Sequence, residues 1–135
     1  FYHKNEEVDF SMYSNITDIT KKSMDIQEIL MDTDILISDY SSTYIDYLLL
    51  DRPLIFYNFD YEDYLQNDRE MYYDYDEVTP GYKAATFDEL MTELDSIAKD
   101  EDHFVEERQR VRDLFYCKEG QQMVGEKLLE FLKDL

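Results

Sequence analysis

The chain has 135 residues, the size of one domain, and 44% of them are hydrophobic, enough for a core of its own. With 33 acidic residues against 13 basic ones its net charge is -20, which repels the phosphates of nucleic acid and leaves DNA or RNA an unfavourable partner. No apolar run approaches the roughly 20 residues that cross a bilayer, and the lone cysteine, Cys117, has no internal disulfide partner.

The chain opens on Phe1 instead of methionine, inside what reads as structured sequence, so a piece of a longer protein is expected. "NITDIT" (Asn15 to Thr20) reads as a short strand. "DIQEIL" follows as a helix with Ile26, Ile29 and Leu30 at helical spacing and Asp25 and Glu28 as a capping pair. "DILIS" (Asp34 to Ser38) is an apolar run too short for a helix, and the segment after it places Ile45, Leu48 and Leu49 on one helical face. Pro53 stops that helix and opens a strand, "LIFYNF" (Leu54 to Phe59). "YKAAT" is a weaker further strand. Thr86 and Glu89 then form a capping box ahead of a stripe of Phe87, Leu90, Met91, Leu94, Ile97 and Ala98. Two more helices, Asp102 to Phe115 and Gln121 to Leu135, close the chain, the last with Val124, Leu128, Phe131, Leu132 and Leu135 on one face. Strands alternating with helices predict an α/β fold, a Rossmann-like parallel sheet with helices on both faces. It reads as one truncated domain, with an αβ core over 1–100 and C-terminal helices over 101–135.

In such a sheet, ligands bind outside the carboxyl ends of the strands, where a starting helix offers unpaired N–H groups and a positive dipole end. "SDYSST" lies at that place. Ser41, Ser42 and Thr43 supply hydroxyl donors for a phosphate or diphosphate without any basic side chain. The competing reading is that Ser41 or Ser42 only caps the helix. Asp39 suits a turn better than a phosphate contact, because its charge repels the ligand. Asp60 and Glu62 follow the third strand as a ribose-binding acid would, or as an acidic helix start. The tyrosine cluster "MYYDYDEVTPGY" offers stacking surface for a base, or packs over a sheet edge. Dense acids such as "DYEDY" match no metal loop. His103, among acids at a helix start, reads as solvated.

The blocks "SDYSS", Asp46, Arg52-Pro53, Asp60, Tyr64 and Pro80-Gly81, in this order over roughly Asp25 to Ala98, resemble the C-terminal part of the CDP-glycerol glycerophosphotransferase family, the teichoic-acid primases and polymerases. That resemblance implies a GT-B architecture, of which this chain is most of the nucleotide-binding half. It also implies transfer of glycerol phosphate, or ribitol phosphate, from a CDP-polyol to a lipid-linked wall or capsule polymer with release of CMP. The acceptor would dock through a missing N-terminal domain, at the inner face of the cell membrane, and no cofactor is implied. The family's nucleotide site falls on Ser41, Ser42 and Thr43, with Asp39 and Asp60 nearby. His3 stands where the family has a histidine-proline block, but Lys4 replaces the proline and the catalytic base stays unassigned. The fragment alone is expected to be inactive and to self-associate through its last helix. Two alternatives share the pattern: a GT-B glycosyltransferase using a nucleotide sugar, and a receiver-like signalling domain, which lacks here its acidic pair and late lysine.

Overall fold

The structure, a computed structural model, describes residues 9–19, 24–67, 73–116 and 124–133. The chain divides into two compact units, Phe1–Asp32 and Thr33–Leu135. In the first, Asp25 caps helix α1 (Ile26–Met31), its carboxylate accepting from the Gln27 amide at 3.0 Å. The expected strand at "NITDIT" does not form over residues 15–19, and Thr20 lies outside the described residues. Turns at residues 11–12 and 14–15 lead into it, with Tyr13 N–H donating to the Phe10 carbonyl and Ile16 N–H to that of Tyr13, and residues 16–19 carry no regular structure.

The second unit is built on a three-stranded parallel sheet of order β1-β2-β3, with β1 at Leu36–Ser38, β2 at Leu54–Tyr57 and β3 at Tyr82–Ala84. Ile37 pairs with Ile55, and Ile55 with Tyr82. The strands are shorter than the apolar runs that announce them. Asn58, just past β2, makes the last bond across to β3, its N–H donating to the Ala84 carbonyl at 3.0 Å, and Phe59 beyond it is exposed. Helix α2 (Thr43–Tyr47) tightens into a 3₁₀ turn at Leu48–Leu50, and α3 (Tyr61–Asn67), α4 (Tyr75–Val78), α5 (Phe87–Ala98), α6 (Val105–Phe115) and α7 (Val124–Lys133) follow. α6 begins three residues later than expected. The outer ends of the expected last helix, 121–123 and 134–135, lie outside the described residues.

β2 is the centre, with Leu54, Ile55 and Phe56 fully buried. On one face Ile55 joins Tyr82, Ala84 and Leu90 of α5, flanked by Leu94, Ile97 and Phe104. On the other, Phe56 meets the rings of Tyr44 from α2 and Tyr75 from α4 edge-on, at 5.2 and 6.2 Å. Helices therefore cover both faces of β2, as the alternation predicts. The capping box of α5 is present in both directions between Thr86 and Glu89. Its stripe is narrower than expected, since Phe87 is 64% exposed. Leu49 is 55% exposed too, and Tyr44 and Tyr47 take inner places beside Leu48. The 3₁₀ turn advances by more than 100° per residue, which rotates Leu49 off the face that a continuous α-helix would give it. Pro80-Gly81 opens β3 where a Cβ on Gly81 would stand 2.5 Å from the Leu54 carbonyl oxygen, so only glycine lets β2 and this turn approach so closely.

A polar knot ties the ends of these elements. Asp51 closes the α2 run in the left-handed region at φ 50°. The Arg108 side chain, 2% exposed, donates from Nε to Asp51 Oδ1 at 3.2 Å and from Nη1 and Nη2 to both Asp102 carboxylate oxygens at 2.9 and 2.7 Å. Nη2 also reaches the Asp51 carbonyl. Arg52 Nη1 and the Tyr47 hydroxyl donate to the Thr33 carbonyl at 2.7 and 3.0 Å. Burial works against the charge on Arg108, but the hydrogen bonds and attraction of the two carboxylates outweigh it. The Arg108 bonds in turn hold the Asp102 carboxyl below its ordinary range.

A carboxylate with a lowered folded-state pKa stabilises the fold above its unfolded pKa and loses that contribution as pH falls through the folded value. Unfolding free energy of the protein is therefore expected to decline below about pH 4, where unfolded Asp binds protons first. Asp102→Asn should lower stability at pH 7 by about 2–3 kcal/mol, less than the roughly 3–5 kcal/mol for breaking a fully buried pair, because Asp102 is partly exposed and Asp51 remains. It should also flatten the acid limb in urea titrations across that range. An acid limb unchanged by the substitution would contradict the assignment.

Candidate functional site

The loop after β1 carries the residues singled out by the sequence. Its shape comes from Asp39, whose Oδ1 accepts from the Ser41 amide at 2.9 Å. Asp39 thus serves as a turn acid and offers no donor to a phosphate. Ser41 Oγ and Thr43 Oγ1 lie 2.9 Å apart, and Ser41 Oγ accepts weakly from the Thr43 amide at 3.4 Å. Of those two hydroxyl protons one lies in the mutual bond and the other can point outward. Ser42 is the N-cap of α2 by position, yet its backbone is helical (φ -68°, ψ -4°) and its side chain makes no cap bond. A capping serine needs the extended backbone that turns its oxygen onto the following amides. Ser42 is exposed, with its hydroxyl uncommitted by any cap.

Tyr40 connects this loop to the end of β2. Its hydroxyl donates to Asp60 Oδ1 at 2.9 Å, and its ring stacks on Tyr64 of α3 at 3.8 Å and 15°. Burial, then the bond to Asp60, push the Tyr40 phenol well above its ordinary range. Tyr75 of α4 closes the group, 5.8 Å from Tyr40 and 5.1 Å from Tyr61. Asp60 is exposed and borders an open depression of about 480 Å³ with Asn58, Glu62 and Ala85. Ser42 instead lines a cleft of about 580 Å³ walled by Tyr40, Tyr44, Tyr64, Tyr75 and Phe115. Ser42 and Asp60 therefore open on different depressions, joined only through Tyr40, and do not form a single cluster.

His3 lies outside the described residues. His103 is exposed, its amide donating to the Tyr82 hydroxyl at 3.3 Å, far in the fold from the β1 loop and on the α5 side of the sheet. Among the described residues, no group of three or more His, Cys, Asp or Glu side chains is placed to hold a metal. The tyrosines are what the residue reading underrated. The segments holding Tyr61, Tyr64 and Tyr75 are helical, and those rings form the wall between the two depressions. Acids at the helix starts, Glu62, Asp63, Asp76 and Glu77, were the available signal.

Because Ser42 makes no cap bond, Ser42→Ala is expected to change stability by less than about 0.5 kcal/mol, against roughly 1 kcal/mol for losing a working cap. A fall in the unfolding midpoint matching a lost cap would mean the hydroxyl is structural.

The chain matches the model of the CDP-Glycerol:Poly(glycerophosphate) glycerophosphotransferase family over residues 1–132. It is 42% identical over 83 residues to the teichoic acid poly(ribitol-phosphate) polymerase of Bacillus spizizenii, covering 62% of this chain and 13% of that protein. To the teichoic acid ribitol-phosphate polymerase TarL of Staphylococcus aureus it is 44% identical over 72 residues, covering 53% and 13%. To the teichoic acid poly(glycerol phosphate) polymerase of Bacillus spizizenii it is 38% identical over 80 residues, 59% of this chain and 20% of that one. The wall teichoic acid polymerase TagF is similar in structure, with a TM-score of 0.69 and 32% identity over 78% of this chain and 26% of its own. A variant of that enzyme soaked with CDPG gives the same match. The likeness bears out the Rossmann-like, GT-B-type fold and leaves no place for a receiver-like domain. The chain spans 13% of the length of the two ribitol-phosphate polymerases, and it belongs to the CDP-glycerol:poly(glycerophosphate) glycerophosphotransferase family.

Proposed function

We propose that this chain is the nucleotide-binding part of an enzyme that transfers glycerol phosphate or ribitol phosphate from its CDP-activated form to a lipid-linked wall or capsule polymer. The observation that carries the proposal is the β1 loop, where in a member of this family Ser42 presents an uncommitted hydroxyl at the carboxyl end of the sheet. The diphosphate sits against Ser41, Ser42 and Thr43, and the hydroxyl dipoles neutralise part of its charge. In a chain of net charge -20 that is an economical solution, since residues 39–43 include no cation. An acceptor hydroxyl attacks the phosphorus that carries the polyol, the bond to the CMP oxygen breaks, and CMP leaves with the bonding pair. The attacking proton goes to a base outside residues 39–43, and His3 is the candidate within this chain. Asp60 borders the other depression and acts on this cleft through Tyr40, whose hydroxyl it accepts and whose ring lines the cleft with Ser42. No helix of the described residues is long and apolar enough to cross a membrane. The full-length enzyme works in the cytoplasm at the inner membrane face, and its lipid-linked acceptor docks through the rest of the protein, because a chain this acidic repels anionic lipid.

In the full-length enzyme, replacing Ser41 and Ser42 together by alanine removes donors to a charged acceptor, each worth roughly 1.5–3 kcal/mol. Calorimetric affinity for CDP should fall at least about tenfold. Affinity that holds while the unfolding midpoint drops would show that the hydroxyls are only structural. The isolated 135 residues should release no CMP from CDP-glycerol. Leu128, Leu129, Phe131 and Leu132 of α7 are exposed, and we propose that they drive self-association of the isolated chain. Sedimentation that shows only monomer at high concentration would count against that.

A further inference from the structure

Among the described residues, the side chains of residues 39–43 make one hydrogen bond that leaves their own segment. Asp39 accepts from the Ser41 amide, and Ser41 Oγ pairs with the hydroxyl and the amide of Thr43. These bonds shape the β1 loop without tying it to the neighbouring strand end. The Tyr40 hydroxyl does tie it, donating to Asp60 Oδ1 at 2.9 Å.

Both partners of Tyr40 stand on one turn of helix. The Tyr64 amide donates to the Asp60 carbonyl at 2.9 Å, so a single closed turn after β2 carries the Asp60 carboxylate and the Tyr64 ring. That turn holds the phenol at two places: Tyr64 lies against its face, with ring centroids 3.8 Å and planes 15° apart, and Asp60 accepts from its tip. A ring held at face and tip has little freedom to slide, and the backbone of residue 40 is fixed with it. Ser41 and Ser42 follow at once. Neutral hydroxyls serve an anion best when they need no ordering at the moment of binding, and residues 39–43 include no cation to compensate for a loose loop. Burial, the largest influence, and the bond to Asp60 raise the Tyr40 phenol well above its ordinary range, so it remains a donor at neutral pH.

We propose that Tyr40 is a positioning residue for the diphosphate: anchored on Asp60 and Tyr64, it holds Ser41 to Thr43 where their hydroxyls meet the ligand, without its own hydroxyl touching that ligand. This rests on the reading that the diphosphate lies on Ser41 to Thr43. Asp60 is then needed for an oxygen that accepts from the phenol.

The test measures CDP affinity by calorimetry, and the unfolding midpoint, in the full-length enzyme with Tyr40→Phe made in three backgrounds: wild type, Asp60→Asn and Asp60→Ala. Tyr40→Phe keeps the stacked ring and removes only the bond. In the wild type and in Asp60→Asn, whose amide oxygen still accepts from the phenol, it should weaken CDP binding about fivefold. In Asp60→Ala, where the bond is already gone, it should change CDP affinity no further. The same fold-loss in all three backgrounds would mean that the Tyr40 hydroxyl meets the ligand itself, and would overturn the proposal. A lowered midpoint with CDP affinity unchanged in Tyr40→Phe would overturn it as well, leaving the bond structural. The Ser41/Ser42 double alanine variant tests the premise separately. If that variant loses CDP affinity and Tyr40→Phe does not, the positioning role alone falls; if it binds CDP as the wild type does, the phosphate reading falls and the inference with it.

Discussion

The buried guanidinium of Arg108 is the contact on which the other elements of the larger unit depend. It reaches across the chain from α6 to Asp51, the left-handed residue that separates the α2 run from β2. A non-glycine residue held at φ 50° stores strain, on the order of 1–3 kcal/mol, and persists only where its surroundings over-determine it. Here both the Asp51 carboxylate and its carbonyl are held by Arg108, and Gln109 Nε2 takes the remaining carboxylate oxygen at 2.9 Å. Such a knot adds little net stability over a well-packed apolar substitute, but removing one partner strands a buried charge. Its effect is positional. The corner it fixes joins the end of the α2 run to the start of β2, the two elements whose far ends lead to Ser42 and Asp60.

On the proposed reading, the site works with short-range donors in an unfavourable field. A net charge of -20 makes the approach of any diphosphate uphill at long range, and the β1 loop adds Asp39 to that charge. Binding there has to come from hydroxyls and from apolar contact close to the ligand. The fold supplies both from neighbouring strand ends: the serine and threonine hydroxyls follow β1, and the tyrosine wall follows β2 and precedes β3. Tyr40 joins the two halves, its ring in the stack on Tyr64 and its hydroxyl on Asp60.

Local chemistry was legible in the sequence and long-range pairing was not. The α5 capping box, the three parallel strands and the place of Ser41 to Thr43 follow from residue spacing, because caps and apolar runs are decided within a few residues. "NITDIT" has the composition of a strand, but its Ile16 amide closes a turn onto Tyr13 and residues 16–19 pair with no strand. The Leu49 error came from assuming one helical period through a segment that changes to 3₁₀. Arg108 drew no sequence signal at all, since nothing local shows a partner 57 residues earlier. The tyrosines raised the same difficulty: a wall assembled from Tyr40, Tyr64 and Tyr75 exists only once β1 and β2 lie side by side.

The most direct measurement is a crystal structure of the full-length enzyme with CDP-glycerol bound. The account predicts diphosphate oxygens within hydrogen-bond distance of the Ser42 hydroxyl, at the carboxyl end of β1. A nucleotide lying elsewhere, with the β1 loop empty, would contradict it.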